Sequence, residues 1–139
     1  VDAGIAANAI EAGERSQALI AEATSDEGFD FVFDATGNRA SMEAAFGPVA
    51  HGGTLVLVSV VNETITFSDP AFHKREMTLM GSRNATQADF ARVMAAIRSG
   101  KVPLDRLLTH RTSLAGAIID LPRWASDKRG LVKALVEVG

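Results

Sequence analysis

Cysteine is absent from the 139 residues, which excludes disulfides and every thiolate metal site. No apolar run approaches the ~18 residues that a membrane-crossing helix needs. The amino end also lacks the basic start and apolar stretch of a secretory signal. Positive charge is in short supply: 14 Lys and Arg against 17 Asp and Glu leave a net charge of −3. That balance offers no electrostatic footprint for nucleic acid or an anionic membrane. These absences predict a soluble, cytoplasmic chain. What is present is the composition of a folded domain, 47% hydrophobic and 22% charged. A chain of this length buries roughly two-thirds of its unfolded surface. It opens at Val1 rather than Met, which raises the expectation of a processed or truncated piece.

Catalytic signatures are missing as well. There is no Gly-x-Ser-x-Gly elbow, no Gly-x-Gly-x-x-Gly and no Gly-x-x-x-x-Gly-Lys-Ser/Thr loop. The histidines, His51, His73 and His110, are widely spaced and form no His-x-x-x-His pair, so no metal site is expected. His73 sits in the charged stretch His73-Lys74-Arg75-Glu76, and His110 reads as a partly buried structural residue. Asp34 could polarise a ligand, but a carboxylate beside a turn usually satisfies backbone donors. Arg83 could meet a phosphate or a carboxylate, or face solvent. Trp124, the single tryptophan, is expected to pack the last helix.

Between these gaps, two kinds of segment alternate. Arg15 to Ala23 is rich in helix formers and gives way to the turn Asp26-Glu27-Gly28. Phe29 to Ala35 reads as a strand, and Arg39 to Phe46 as a helix capped by Asn38. Thr54 to Val61 is nearly continuous in Val and Leu, the pattern of a strand buried on both faces. Thr78 to Met80 is a shorter strand. Thr86 opens a helix with Asp89 three residues on and an apolar stripe of Phe90, Val93, Met94 and Ile97. Beyond Pro103 the pattern is mixed: Leu114 to Trp124 is helical despite Pro122, and Leu131 to Val138 reads as a final strand.

Strand and helix in alternation predict a parallel sheet with right-handed crossovers, whose ligands lie beyond the carboxyl ends of the strands. Thr36, Ser59 and Ser82 recur at equal steps of 23 residues, as one strand-plus-crossover unit per step would give. Small side chains at those ends let main-chain groups approach a ligand; the alternative reading is that Gly and Ser simply end strands. Residue chemistry alone therefore describes an α/β ligand-binding sheet without catalytic machinery of its own.

Three segments carry a resemblance: Phe31-Val32-Phe33-Asp34-Ala35-Thr36-Gly37-Asn38, Gly52-Gly53-Thr54-Leu55-Val56-Leu57-Val58, and Met77-Thr78-Leu79-Met80-Gly81-Ser82-Arg83. With Leu108-Thr109-His110-Arg111 and Gly130-Leu131-Val132-Lys133 in the same order, the chain resembles the medium-chain dehydrogenases, most of all the zinc-dependent polyol and sugar-acid dehydrogenases. The resemblance implies a partial doubly wound, Rossmann-like parallel sheet lacking its first two strands, with a carboxyl-terminal helix-strand tail. It implies a partial nucleotide-binding domain over residues 1–100. Residues 101–139 would pack on a catalytic domain that this sequence does not include. Thr36, Gly37, Asn38, Val58, Ser59, Val60, Ser82, Arg83 and Asn84 would line NAD or NADP, with main-chain contacts from Val58, Ser82 and Asn84. The zinc ligands and the glycine-rich loop of the family lie outside this sequence, so no catalytic residue and no metal ligand are assigned here.

Three functional readings follow. The first is part of a zinc-dependent alcohol dehydrogenase acting on a polyol or sugar acid and inactive alone. The second is part of a zinc-free, quinone-reductase-like relative, and the third is a non-catalytic nucleotide-binding or interaction module. Gly4 to Glu11 would hold the end of a crossover helix and the third strand of the dinucleotide fold. Phe29 to Ala35 would then be an open edge, free to pair with another chain, a swapped segment or the tail strand Leu131 to Val138. A homo-oligomer is expected, with the Thr78 to Met80 edge as a second contact.

Overall fold

The computed structural model describes residues 6–139, which fall into two compact units, Asn8–Asn84 and a second built on Ala85–Gly139. The second unit begins just before the helix opened by Thr86.

In the first unit, α1 (Ser16–Thr24) ends where Ser25 adopts a left-handed conformation and its N–H returns to the carbonyls of Ala21 and Glu22. Then follow β1 (Phe29–Asp34), α2 (Arg39–Ala44), β2 (Val49–Leu57), α3 (Asp69–Lys74) and β3 (Thr78–Gly81). The strands form one parallel sheet in the order β1-β2-β3. Both short helices start on side-chain caps: Asn38 Oδ1 accepts from Ser41 N at 3.1 Å and Ser68 Oγ from Ala71 N at 3.4 Å.

The core lies under one face of the sheet. Phe46, Val49, Leu55 and Met77 are buried together, with Val32, Leu57 and Phe72 against them. Phe46 stacks on Phe67 at 4.8 Å and Phe67 lies 5.3 Å from Phe72. Strand alternation sends Val32 and Asp34 to this face and Phe29, Phe31 and Phe33 to the other. There Phe31 is 64% and Phe33 66% exposed. Among the described residues β1 lies at the edge of the sheet, and its Phe31 and Phe33 face is exposed.

The second unit contains α4 (Gln87–Arg98), α5 (Leu104–Leu107), β4 (Leu108–Ser113), α6 (Ala117–Ser126) and β5 (Lys133–Glu137). The capping box predicted at Thr86 and Asp89 forms in both directions. β4 and β5 pair in parallel. Trp124 is buried, its ring edge-on to His110 at 5.3 Å, which fits the structural readings of both residues. Thr112 Oγ1 donates to Asp120 at 2.6 Å and ties β4 to α6. No helix among the described residues is long and apolar enough to cross a membrane.

Several expectations change. Gly4 and Ile5 lie outside the described residues, and Ala6–Glu11 forms no strand, having no ladder partner beside it. β2 starts at Val49 and not Thr54, passing through a bulge where the register jumps between Phe29↔Val49 and Phe31↔Thr54. Gly52 supplies the φ of +71° this requires, and a Cβ on Gly53 would lie 2.9 Å from Val49 Cγ1 and 3.0 and 3.1 Å from the Ala50 and Phe29 carbonyl oxygens. β2 stops at Leu57, not Val61, because the Val58 and Ser59 amides both turn onto the Asp34 carbonyl. The mixed region after Pro103 contains a strand, β4, and it takes up the tail strand β5; the tail does not cover the open edge of β1. On α4, Phe90, Val93 and Met94 are exposed and Ile97 is half-buried.

Candidate functional site

Because the strands are parallel and in register, with Asp34 beside Leu57 and Leu57 beside Gly81, their carboxyl ends meet on one edge of the sheet. Thr36-Gly37-Asn38, Val58-Ser59-Val60 and Ser82-Arg83-Asn84 all emerge there. Each of the nine residues singled out in the sequence thus follows a strand on the same edge.

Asp34 organises this edge. It is the one buried charged side chain among the described residues, 4% exposed. Its carboxylate accepts from Ser41 Oγ at 2.7 Å, Thr36 Oγ1 at 3.0 Å, Thr36 N at 3.1 Å and, at longer range, Ser59 Oγ at 3.4 Å. Burial pushes the carboxyl pKa up, but the hydrogen bonds from Ser41, Thr36 and Ser59 together outweigh it and hold the group below the usual carboxylate value. The Asp34 carbonyl accepts from Val58 N at 2.8 Å and Ser59 N at 3.3 Å. Ser59 Oγ in turn accepts from Gly37 N at 2.8 Å, across the two strand ends. Asn38 N donates to Thr36 Oγ1 at 3.2 Å, and Ser82 N to the Leu57 carbonyl at 2.9 Å.

The consequence is a particular polarity. The N–H groups of Thr36, Gly37, Asn38, Val58, Ser59 and Ser82 are all committed to holding the turns. Among the described residues, the carbonyls of Thr36, Gly37, Val58, Ser59, Val60, Ser82, Arg83 and Asn84 and the amides of Val60, Arg83 and Asn84 carry no partner within the protein, so the edge is rich in free acceptors with a few free donors. Asn84 turns the chain in a left-handed conformation, φ 64°, which asparagine tolerates. Gly37 shares that conformation, and open space surrounds the position of its missing Cβ.

A cleft of about 470 Å³ adjoins this edge, lined by Gly37, Asn38, Arg39, Ala40, Glu43 and Glu63. Arg39 Nε lies 3.0 Å from Glu43, which also accepts from Thr66 N and Thr66 Oγ1 at 3.0 Å. The Arg39 hydrogen bond, with those from Thr66, lowers the Glu43 pKa. One guanidinium against two carboxylates is the wrong balance for a phosphate. A second cleft, about 500 Å³, lies at the amino ends of β1 and β2, where Arg75 is already bound to the carbonyls of Gly47 and Val49.

Zinc does not fit the described residues. No three His, Cys, Asp or Glu side chains converge among them. His51 faces Glu76 and His73 faces Asp69, each at 3.4 Å and on exposed ground.

Sequence reasoning brought the strand ends together but read Asp34 as a local turn acceptor and did not single out Ser41. No sequence signal marks Ser41, the third residue of α2; only the fold brings its hydroxyl to Asp34.

Residues 2–99 match the zinc-binding dehydrogenase family. L-galactonate-5-dehydrogenase of Escherichia coli K12 is 43% identical over 105 residues, covering 76% of this chain and 31% of that protein. D-xylulose reductase of Saccharomyces cerevisiae is 26% identical over 125 residues, covering 90% of this chain and 35% of its own length. Among solved structures, a short chain alcohol dehydrogenase from Escherichia coli CFT073, complexed with NADH, superposes with a TM-score of 0.83 at 16% identity. The match covers 96% of this chain and 39% of that one, a likeness of fold. This chain spans about a third of the length of these curated relatives. Its parallel α/β sheet, with the polar edge at the strand ends, is part of a Rossmann-like fold. On the match over residues 2–99 and that strand arrangement, the chain belongs to the zinc-binding dehydrogenase family.

Proposed function

We propose that this chain supplies the nicotinamide-side wall of an NAD(P)-dependent, zinc-dependent alcohol dehydrogenase that oxidises a polyol or sugar acid. The observation that carries the reading is the polarity of the strand-end edge. A nicotinamide carboxamide has two N–H donors and one carbonyl; the unpartnered Val58 and Ser82 carbonyls and the Asn84 amide are their complement. The two carboxylates of the neighbouring cleft set it against the pyrophosphate, which agrees with the nicotinamide end of the cofactor. When bound, the cofactor supplies the hydride acceptor. The residues of this chain orient it and contribute no proton-transfer group of their own to the edge.

The substrate class rests on the relatives, one named for L-galactonate and one for D-xylulose. Residues 1–100 are proposed as the cofactor-binding part and 101–139 as the part that packs on a catalytic domain. Zinc, which would polarise the alcohol oxygen, is proposed to be held by residues other than those of this chain; the described residues offer no ligand set. The proposed setting is cytoplasmic, where a chain free of cysteine loses nothing. The exposed Phe31 and Phe33 beside the open ladder of β1 favour self-association through that edge. The β3 edge is the second candidate contact.

The test is calorimetry with NADH together with a turnover assay on sugar acids and polyols. Weak, millimolar-range binding without turnover is expected. Tight stoichiometric binding, or turnover by the chain alone, would contradict the reading.

A further inference from the structure

We infer that Asp34 is a positioning residue that fixes the direction of the main-chain groups lining the strand-end edge, acting through Ser59 and Thr36; its effect on a cofactor rests on the reading above. A buried carboxylate is costly unless its acceptor sites are filled. An ordinary turn would fill them locally, through Thr36 alone. Here the donors come from the β1–α2 turn (Thr36), the body of α2 (Ser41) and the end of β2 (Ser59).

The geometry reaches further through Ser59. Its hydroxyl is held between the Asp34 carboxylate at 3.4 Å and the Gly37 amide at 2.8 Å, so one side chain couples two strand ends separated by 22 residues. Its backbone N–H points at the Asp34 carbonyl, 3.3 Å away. In a trans peptide the carbonyl opposes the N–H, so the Val58 carbonyl points away from Asp34 and from β1. Asp34 thus grips both ends of the same linkage, the backbone of Ser59 through its carbonyl and the side chain through its carboxylate. Loosening the carboxylate frees the Gly37 turn and the Ser59 hydroxyl together while the sheet ladder stays intact.

The test is amide hydrogen exchange by NMR on the full chain, for Asp34→Asn, Ser59→Ala and Ser59→Thr, followed by NADH titration of each. In Ser59→Ala and Asp34→Asn the Gly37 amide is expected to exchange ~10-fold faster, with Leu55 and Leu57 in β2 unchanged. Ser59→Thr, which keeps the hydroxyl, restores slow exchange, a rescue that general destabilisation would not produce. NADH affinity falls ~3-fold or more in the first two variants and not in the third. Unchanged Gly37 exchange in a folded Asp34→Asn or Ser59→Ala chain overturns the inference, as does exchange that accelerates equally at Leu55. If Asp34→Asn does not fold, the Ser59 pair decides alone. If the wild-type chain gives no NADH response, the cofactor-wall reading fails, while the exchange data still decide whether the clamp exists.

Discussion

Removing the Asp34 side chain by Asp34→Ala gives the sharpest stability test. The carboxylate is 4% exposed and accepts three hydrogen bonds of 3.1 Å or less, from Ser41 Oγ, Thr36 Oγ1 and Thr36 N. Hydrogen bonds to a charged group contribute about 1.5–3 kcal/mol each. That sum is not lost in full. The variant escapes the cost of burying a charge, and the freed donors on exposed Thr36 and half-buried Ser41 regain water. A net loss of about 2–4 kcal/mol follows.

The same hydrogen bonds set the pH dependence. They hold the folded-state pKa below its ordinary value of 3.8, so the unfolded chain takes up the proton first as the solution is acidified. The stabilisation is therefore complete above the unfolded value and is lost as pH falls through the folded one. Urea titrations of both proteins at about pH 7 and about pH 3 measure the gap directly. It should be wider at the higher pH than at the lower. A gap under ~1 kcal/mol at neutral pH, or one that widens on acidification, would refute the reasoning.

Two glycines with left-handed backbones should behave differently on mutation to alanine. A Cβ on Gly28 would lie 2.7 Å from the Pro48 carbonyl, whereas one on Gly37 meets open space. Gly37→Ala should cost only the backbone term, about 1–2 kcal/mol, and Gly28→Ala clearly more; equal losses in thermal melts would contradict the packing around Gly28. Thr86→Ala removes the Oγ1 half of a capping box, leaving the Thr86 N–H on the Asp89 carboxylate, and should cost about 1 kcal/mol, read as faster amide exchange at Asp89 and Phe90 in α4. Sedimentation at micromolar concentration should show a dimer or larger species, and Phe31→Lys on the exposed face of β1 should weaken it. A wild-type monomer would remove the edge-pairing proposal.

The alternation of β1, the Val-rich run of β2 and the capping box of α4 were legible because each is set by local pattern and hydrogen-bond chemistry. Parallel pairing then carried the strand ends to a common edge without further information. The limits of β2 were not legible: its early start depends on a bulge at Gly52 that only the neighbouring β1 demands, and its early end on the Asp34 carbonyl. β4 reads Leu-Thr-His-Arg-Thr-Ser, too polar for a strand by pattern, and exists because β5 pairs with it. The Ser41–Asp34 contact links a helix to the strand before it, a tertiary fact with no sequence period.

The central claim is that the strand-end edge is the wall that faces nicotinamide. NADH titration of the ¹⁵N-labelled chain, followed amide by amide, tests it most directly. The account predicts unsaturated shifts gathered at residues 36–38, 58–60 and 82–84. Shifts gathered instead at Asp26, Gly28 and His51, at the opposite end of the sheet, or no response anywhere, would contradict it.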